Sequence, residues 1–197
     1  LMVIVGGITR LTESGLSIVD WKPVTGVLPP MGDAAWQAEF SRYQTSPQFA
    51  KVNQDMSLGD FKVIFWFEFF HRLLARLLGL WFALPLLWFW LRGAIPARLR
   101  WPLFGILALG AAQGYMGWYM VKSGLVDIPR VSPYRLAAHL GLALLVYALM
   151  LRVAIGLLLD RVPAADSSTA QRWPRALLLV MVATTIGFGA FVAGLRA

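Results

Sequence analysis

Phe65-Trp66-Phe67-Glu68-Phe69-Phe70-His71-Arg72-Leu73-Leu74-Ala75-Arg76 opens an apolar run that continues to Leu91. About 20 apolar residues are enough for a helix to cross a bilayer, so this run is expected to be a transmembrane helix. The quoted stretch sets a carboxylate, an imidazole and two guanidinium groups at its start. Glu68 and His71 are one helical turn apart, so on a helix they share one face. Ionisable groups entering a membrane span are costly and mark a site. The chain has two histidines, and the other, His139, also sits early in an apolar run.

The same pattern recurs along the chain. Of 197 residues 58% are hydrophobic and 14% charged, and the mean hydropathy is +0.65. A soluble domain carries more charge than this. The fold class expected is all-α, a polytopic transmembrane helix bundle. Nine Trp and twelve Phe suit membrane interfaces and lipid-facing packing, and also suit a flat aromatic ligand. The net charge of +8 is scattered over loops and span ends. Nucleic-acid binding would need a clustered basic face, so no nucleic-acid partner is expected. With no cysteine, disulfides, thiolate metal sites and thiol nucleophiles are excluded.

Residues 1–8 read as the end of a first transmembrane helix, and the chain reads as truncated at both ends. Residues 9–60 form a long polar connection containing Trp21-Lys22-Pro23, Gly26, Pro29-Pro30 and Pro47. Within it, Trp36, Phe40 and Tyr43 fall on one helical face of Ala34–Tyr43. That face lies either on the membrane surface or over the bundle. Residues 61–160 hold three spans, near 61–91, 101–121 and 134–159, and Pro85 interrupts the first. Residues 161–174 are a polar loop, and 175–197 a further span.

Lys and Arg in short loops set orientation. Arg92, Arg98 and Arg100 occur with no acid between them, and 152–175 holds four cations; the 9–61 segment has four cations against six acids. The 92–100 and 161–174 loops are therefore placed in the cytoplasm and 9–60 outside. His71 precedes Arg92 by the same interval of chain as His139 precedes Asp160. At about 1.5 Å per residue, the two imidazoles reach similar heights in the outer half of the bundle, from helices running in the same direction.

Two histidines at one depth on separate helices suit axial ligation of haem iron. Zinc would need four donors and has only His71, His139 and Glu68 within reach. The plain alternative is that each histidine is hydrogen-bonded in a polar core. Glu68 either pairs with Arg72 at i+4 or stands beside a haem edge, where it exchanges protons or stabilises positive charge. Arg72, Arg76 and Arg135 are candidates for haem propionates, since guanidinium forks match carboxylates. Arg135 serves equally as an interface anchor, and Arg76 as a partner of Glu68 or of a backbone carbonyl.

At these residues the sequence resembles haem A synthase, a membrane enzyme family of terminal-oxidase biogenesis. Gly6-Gly7-Ile8-Thr9-Arg10-Leu11-Thr12-Glu13-Ser14-Gly15-Leu16-Ser17 is similar to the family's segment after its first helix. Glu68-Phe69-Phe70-His71-Arg72 resembles its Glu-x-x-His-Arg motif. Gln113, Gly117-Trp118 and Ser123-Gly124-Leu125 match the end of its third helix, and His139 its second histidine. Ala75 stands where the resemblance leads one to expect glycine. The absence of cysteine points to the branch typical of proteobacteria and mitochondria. The resemblance implies an eight-helix protein of two pseudo-symmetric four-helix bundles, of which this chain holds the N-terminal bundle and the fifth helix. It implies an oxidoreductase that converts the C8 methyl of haem O to a formyl group by successive hydroxylations, with the fragment inactive alone. His71 and His139 would be axial ligands of the substrate haem and Glu68 the catalytic carboxylate, with a haem b in the remaining half. The partners implied are haem O, a membrane haem O synthase, an electron donor, the lipid bilayer and a second copy in a homo-oligomer. The location implied is the cell inner membrane, or the mitochondrial inner membrane in a eukaryote. A b-type di-haem electron-transfer protein is the alternative reading.

Overall fold

A computed structural model describes residues 1–22, 24–125, 131–159 and 169–195. These residues form helices and connecting turns, with no strand among them. In chain order the helices are α1 (Met2–Leu11), α2 (Asp33–Gln44), α3 (Pro47–Val52), α4 (Leu58–Leu91), α5 (Ala97–Gly124), α6 (Pro133–Leu158) and α7 (Thr169–Leu195), with a short 3-10 turn at Thr25–Val27. Helices α4, α6 and α7 are long and apolar enough to cross a bilayer. The chain is a polytopic helical membrane protein. At 28 residues α5 is also long enough, but Gly105, Gly110, Gln113, Gly114 and Gly117 lower its hydropathy.

Boundaries follow local capping chemistry. Helix α4 starts ahead of the apolar run, because Ser57 and Asp60 form a reciprocal cap. The Ser57 hydroxyl accepts from the Asp60 amide at 3.2 Å, and the Asp60 carboxylate accepts from the Ser57 amide at 3.2 Å. This satisfies two of the amides that every helix start leaves without a partner. Helix α3 starts the same way, with Ser46 accepting from the Phe49 amide and Pro47 in the first turn. The polar connection is thus far from structureless: α1 runs on to Leu11, and α2 and α3 occupy its second half. Pro85 lies within α4 without ending it. Of the expected loop 161–174, residues 161–168 lie outside those described, and 169–174 already belong to α7.

The chain divides into two compact units, each considered by itself. The first comprises residues 1–95 and 114–132, the second 96–113 and 133–197. In the first, α1 and α2 pack against the N-terminal part of α4, and the end of α5 lines a cleft beside Arg72. Its core is aromatic: Trp36, Phe40 and Tyr43 of α2 are buried against Phe61, Phe65 and Phe69 of α4. Tyr43 stacks on Phe61 at 5.2 Å between ring centroids, and Trp36 meets Phe65 edge-on at 5.0 Å. Of the two uses open to the α2 face, covering α4 is the one adopted. In the second unit α6 packs along α7, with Tyr134 edge-on to Phe191 at 5.2 Å.

Candidate functional site

Glu68 is 2% exposed, so its carboxylate has to find donors inside the protein. Its Oε2 accepts from the Ser17 hydroxyl at 2.7 Å and from the Ile18 amide at 2.8 Å. Its Oε1 accepts from Arg72 Nη2, one turn further along α4, at 2.5 Å. Arg72 Nη2 also donates to the Ile18 carbonyl at 3.0 Å, and Nη1 reaches the Asp20 carbonyl at 3.5 Å. One more turn along, Arg76 Nη2 donates to the Lys22 carbonyl at 2.9 Å. Three successive turns of one helix face thus hold segment 17–22 through its backbone. A hydrogen bond to a charged group contributes about 1.5–3 kcal/mol, and Ser17, Ile18, Asp20 and Lys22 each make at least one to Glu68, Arg72 or Arg76. Glu68 does pair with Arg72, as one reading of the sequence required, and it also anchors a segment distant in the chain, through the Ile18 amide.

Segment 17–22, a strap across α4, is held from its other side by charge. Asp20 and Lys22 meet Glu39 and Arg42 of α2, with Lys22 Nζ 3.0 Å from Glu39 Oε1 and Arg42 Nε 3.3 Å from Asp20 Oδ2. Burial pushes the Glu39 carboxyl up, but hydrogen bonds from Arg42 and Lys22 outweigh it and leave its pKa below the ordinary value. Glycine at position 26 suits a close approach: a Cβ there would lie 3.1 Å from Arg76 Nη2 and 3.1 Å from Lys22 Cβ, so a larger residue would make these neighbours shift.

His71 is half-buried on α4. Helix α1 backs onto it at Gly6, where a Cβ would lie 3.4 Å from His71 Nε2. Glycine lets the α1 backbone approach the imidazole closely. Ala75, the next small residue on that side of α4, is exposed. Beside Arg72 is a cleft of about 280 Å³ between the strap and the end of α5, with Asp20, Trp21, Trp118 and Lys122 in its walls. It is at the small end for a ligand pocket: a carboxylate side arm fits it and a macrocycle does not. Lys122 lies over the Trp118 ring at 4.9 Å.

His139 and Arg135 belong to the second unit. Gln113 donates to the His139 carbonyl at 3.1 Å, and its amide nitrogen lies 3.3 Å from His139 Nε2. Gln113 Oε1 is buried and has no hydrogen-bond partner among the described residues. Arg135 precedes His139 by one turn of α6. The interval of chain from His71 to Leu91, where α4 ends, nearly equals that from His139 to Leu158, where α6 ends. Among the described residues no three His, Cys, Asp or Glu side chains gather as a metal-ion site.

Sequence reading found the α4 and α6 residues but assigned no role to Ser17, Ile18, Gln113 or Lys122. Ser17 and Glu68 are 51 positions apart, and no periodicity connects them. The missed signal was chemical: a carboxylate this deep in an apolar helix has to be met by donors, and the polar segment 12–22 was the nearest source.

These features define a multi-pass helical membrane protein with a buried, strapped carboxylate–guanidinium centre beside a histidine. The family model for COX15-CtaA, cytochrome oxidase assembly protein, matches residues 1–197, and the chain belongs to that family. Over its whole length it is 50% identical to the haem A synthase of Rhodospirillum centenum, 53% identical to that of Agrobacterium fabrum and 54% identical to that of Mesorhizobium japonicum. These alignments cover 52%, 53% and 53% of the respective relatives. The chain therefore spans about half the length of the curated relatives it matches. No solved structure matches it.

Proposed function

We propose that this chain is the N-terminal, substrate-binding half of a haem A synthase, together with the fifth helix. The observation that carries this reading is the match of all 197 residues, at about half identity, to proteins of that name. The substrate is haem O, whose C8 methyl is oxidised to a formyl group; electrons and oxygen come from outside these residues. His71 and His139 are the axial ligands of the haem iron in this reading, and each stands at a similar interval of chain from the C-terminal end of its own helix. Gly6 of α1 stands against His71 Nε2, so for His71 to act through that nitrogen α1 has to draw back there. For His139 to act through Nε2, Gln113 has to give up its contact there.

Glu68 is the catalytic carboxylate in this reading, stabilising positive charge at the oxidised carbon or taking its proton. The strap residue Ser17 and Arg72 keep it in place. Arg72 faces the small cleft and suits one propionate; Arg135, one turn from His139, suits the other, and Arg76 serves mainly the strap. A haem b belongs with the remaining half of the protein. The protein resides in the inner membrane, with the 9–60 segment outside. A membrane haem O synthase supplies the substrate, and a separate donor supplies electrons. Residues 1–197 alone are inactive.

One observation favours a second reading, a b-type di-haem electron-transfer protein. Both oxygens of Glu68 are already engaged by Ser17, Ile18 and Arg72, which is enough to explain the residue structurally. Glu68→Gln in the full-length protein separates the two, because it keeps the shape and the acceptor for Ser17 while removing the charge. Retained haem with loss of haem A, measured by pigment extraction and chromatography, supports the synthase. Retained haem with normal haem A output removes Glu68 from catalysis. Haem O that passes through the wild-type protein unchanged removes the synthase reading.

A further inference from the structure

Between Lys22 and Asp33 the chain carries no charged residue. This segment presents Val24, Leu28 and Met31 outward, at 78%, 68% and 71% exposure. Exposed apolar side chains grouped on one short segment mark an interaction surface, and the ties of this segment to α4 give its level along that helix.

Helix α4 has 34 residues, about 51 Å at 1.5 Å per residue. The hydrocarbon core of a bilayer takes about 20 of them, so about four turns project. The projecting end is identified by its cover. Phe61, Phe65 and Phe69 are packed under α2, and Asp33 of α2 and Lys51 of α3 are exposed. The opposite end is marked by Arg92 over the Trp88 ring at 4.4 Å, a cation and an aromatic at the level of the headgroups. Counting one such span back from Leu91 puts the near edge of the hydrocarbon close to Arg72. Arg76 is one turn inside it.

The uncharged segment is tied to that level. The carbonyl of Lys22 bonds to Arg76, and Gly26 rests against the same guanidinium. Its backbone needs few partners, since Pro29 and Pro30 have no amide hydrogen and the Gly26 amide bonds to the Lys22 carbonyl. We propose that residues 24–31 form an interfacial anchor, with Val24, Leu28 and Met31 dipping among the acyl chains on the α2 side of the bilayer. The occupant of this surface is lipid. The backbone stays at the headgroup border, where interfacial segments keep access to water while burying their apolar side chains about 5–10 Å deep. The inference stands apart from any role in haem chemistry.

The test uses full-length protein in vesicles of phosphatidylcholine and phosphatidylglycerol. The described half has no cysteine, so single cysteines at Leu28 and Met31 carry a spin label once any cysteine elsewhere is removed. Gln44, exposed on α2, is the aqueous control, and Leu84, exposed in mid-span, the lipid control. Collision rates with oxygen and with a water-soluble nickel chelate are compared. The oxygen-to-nickel ratio at Leu28 and Met31 is expected to be several-fold above that at Gln44 and below that at Leu84. A ratio equal to that at Gln44 overturns the proposal. So does exclusion of both reagents, which would mean that another part of the protein, or a second copy, covers the segment.

Discussion

Glu68 anchors the strap through Ser17 and Ile18, and the proposed function gives it a chemical role as well. As a neutral amide it keeps an acceptor for Ser17 and loses the ion pair with Arg72. General acid–base groups contribute about 10²–10⁴-fold to rate. In the full-length protein, Glu68→Gln is therefore expected to lower haem A output by about 100-fold or more while bound haem, read from the reduced-minus-oxidised spectrum, stays near the wild-type level. Ser17→Ala removes one hydrogen bond to a charged group, worth about 1.5–3 kcal/mol. It should lower thermal stability and allow faster proteolysis within residues 12–32. Unchanged melting and unchanged cleavage would show that the strap does not depend on that bond. Glu68 and His71 were legible in the sequence because an ionisable group in an apolar run is visible by itself. The donors to Glu68 were not, because nothing local to Ser17 marks it as the partner of a helix 51 positions away.

Helices α2 and α3 form a lid over the first turns of α4, held by aromatic packing and by the Asp20–Lys22–Glu39–Arg42 cluster. Phe61 is fully buried between them, and truncating a buried Phe costs about 3–5 kcal/mol. Phe61→Ala should detach the lid, seen as protease cutting between α2 and α3, while α4 stays inserted. The charge cluster gives the lid a pH dependence. Glu39 has its folded pKa depressed by Arg42 and Lys22. Its contribution is therefore complete above the ordinary carboxylate value and disappears as pH falls through the lower folded value. Lid cleavage should rise on acidification through that window, and in Glu39→Gln the step should vanish; an identical acid step in that variant would assign it to another group. The amphipathic face of α2 was legible from Trp36, Phe40 and Tyr43, because helical period alone puts them together. Whether that face met lipid or protein depended on α4 offering Phe61 and Phe65 at the same height.

For the whole molecule, the distribution of Arg and Lys favours a cytoplasmic 92–100 loop with residues 9–60 outside. Single cysteines at Gln44 and Ala94 in intact cells test this. A membrane-impermeant thiol reagent is expected to label Gln44 and to leave Ala94 unmodified until the membrane is opened. The reverse pattern would invert the topology and move the lid, with its strap, to the cytoplasmic side.

Helical character and membrane crossing are legible from the residues alone, as are Glu68, His71, Arg72, Arg76, Arg135 and His139 as candidate site residues. Those properties are local. A run of apolar residues and the charge interrupting it carry their free energy of transfer wherever the rest of the chain goes. That Ser17 and Ile18 complete Glu68, that Gly26 rests on Arg76, and that Gln113 holds His139 comes from how the chain packs. Each of these depends on a hydrogen bond or a close contact between residues distant in the chain. Such pairings follow from which backbone donors and acceptors packing brings within about 3 Å, and composition and period carry no record of that.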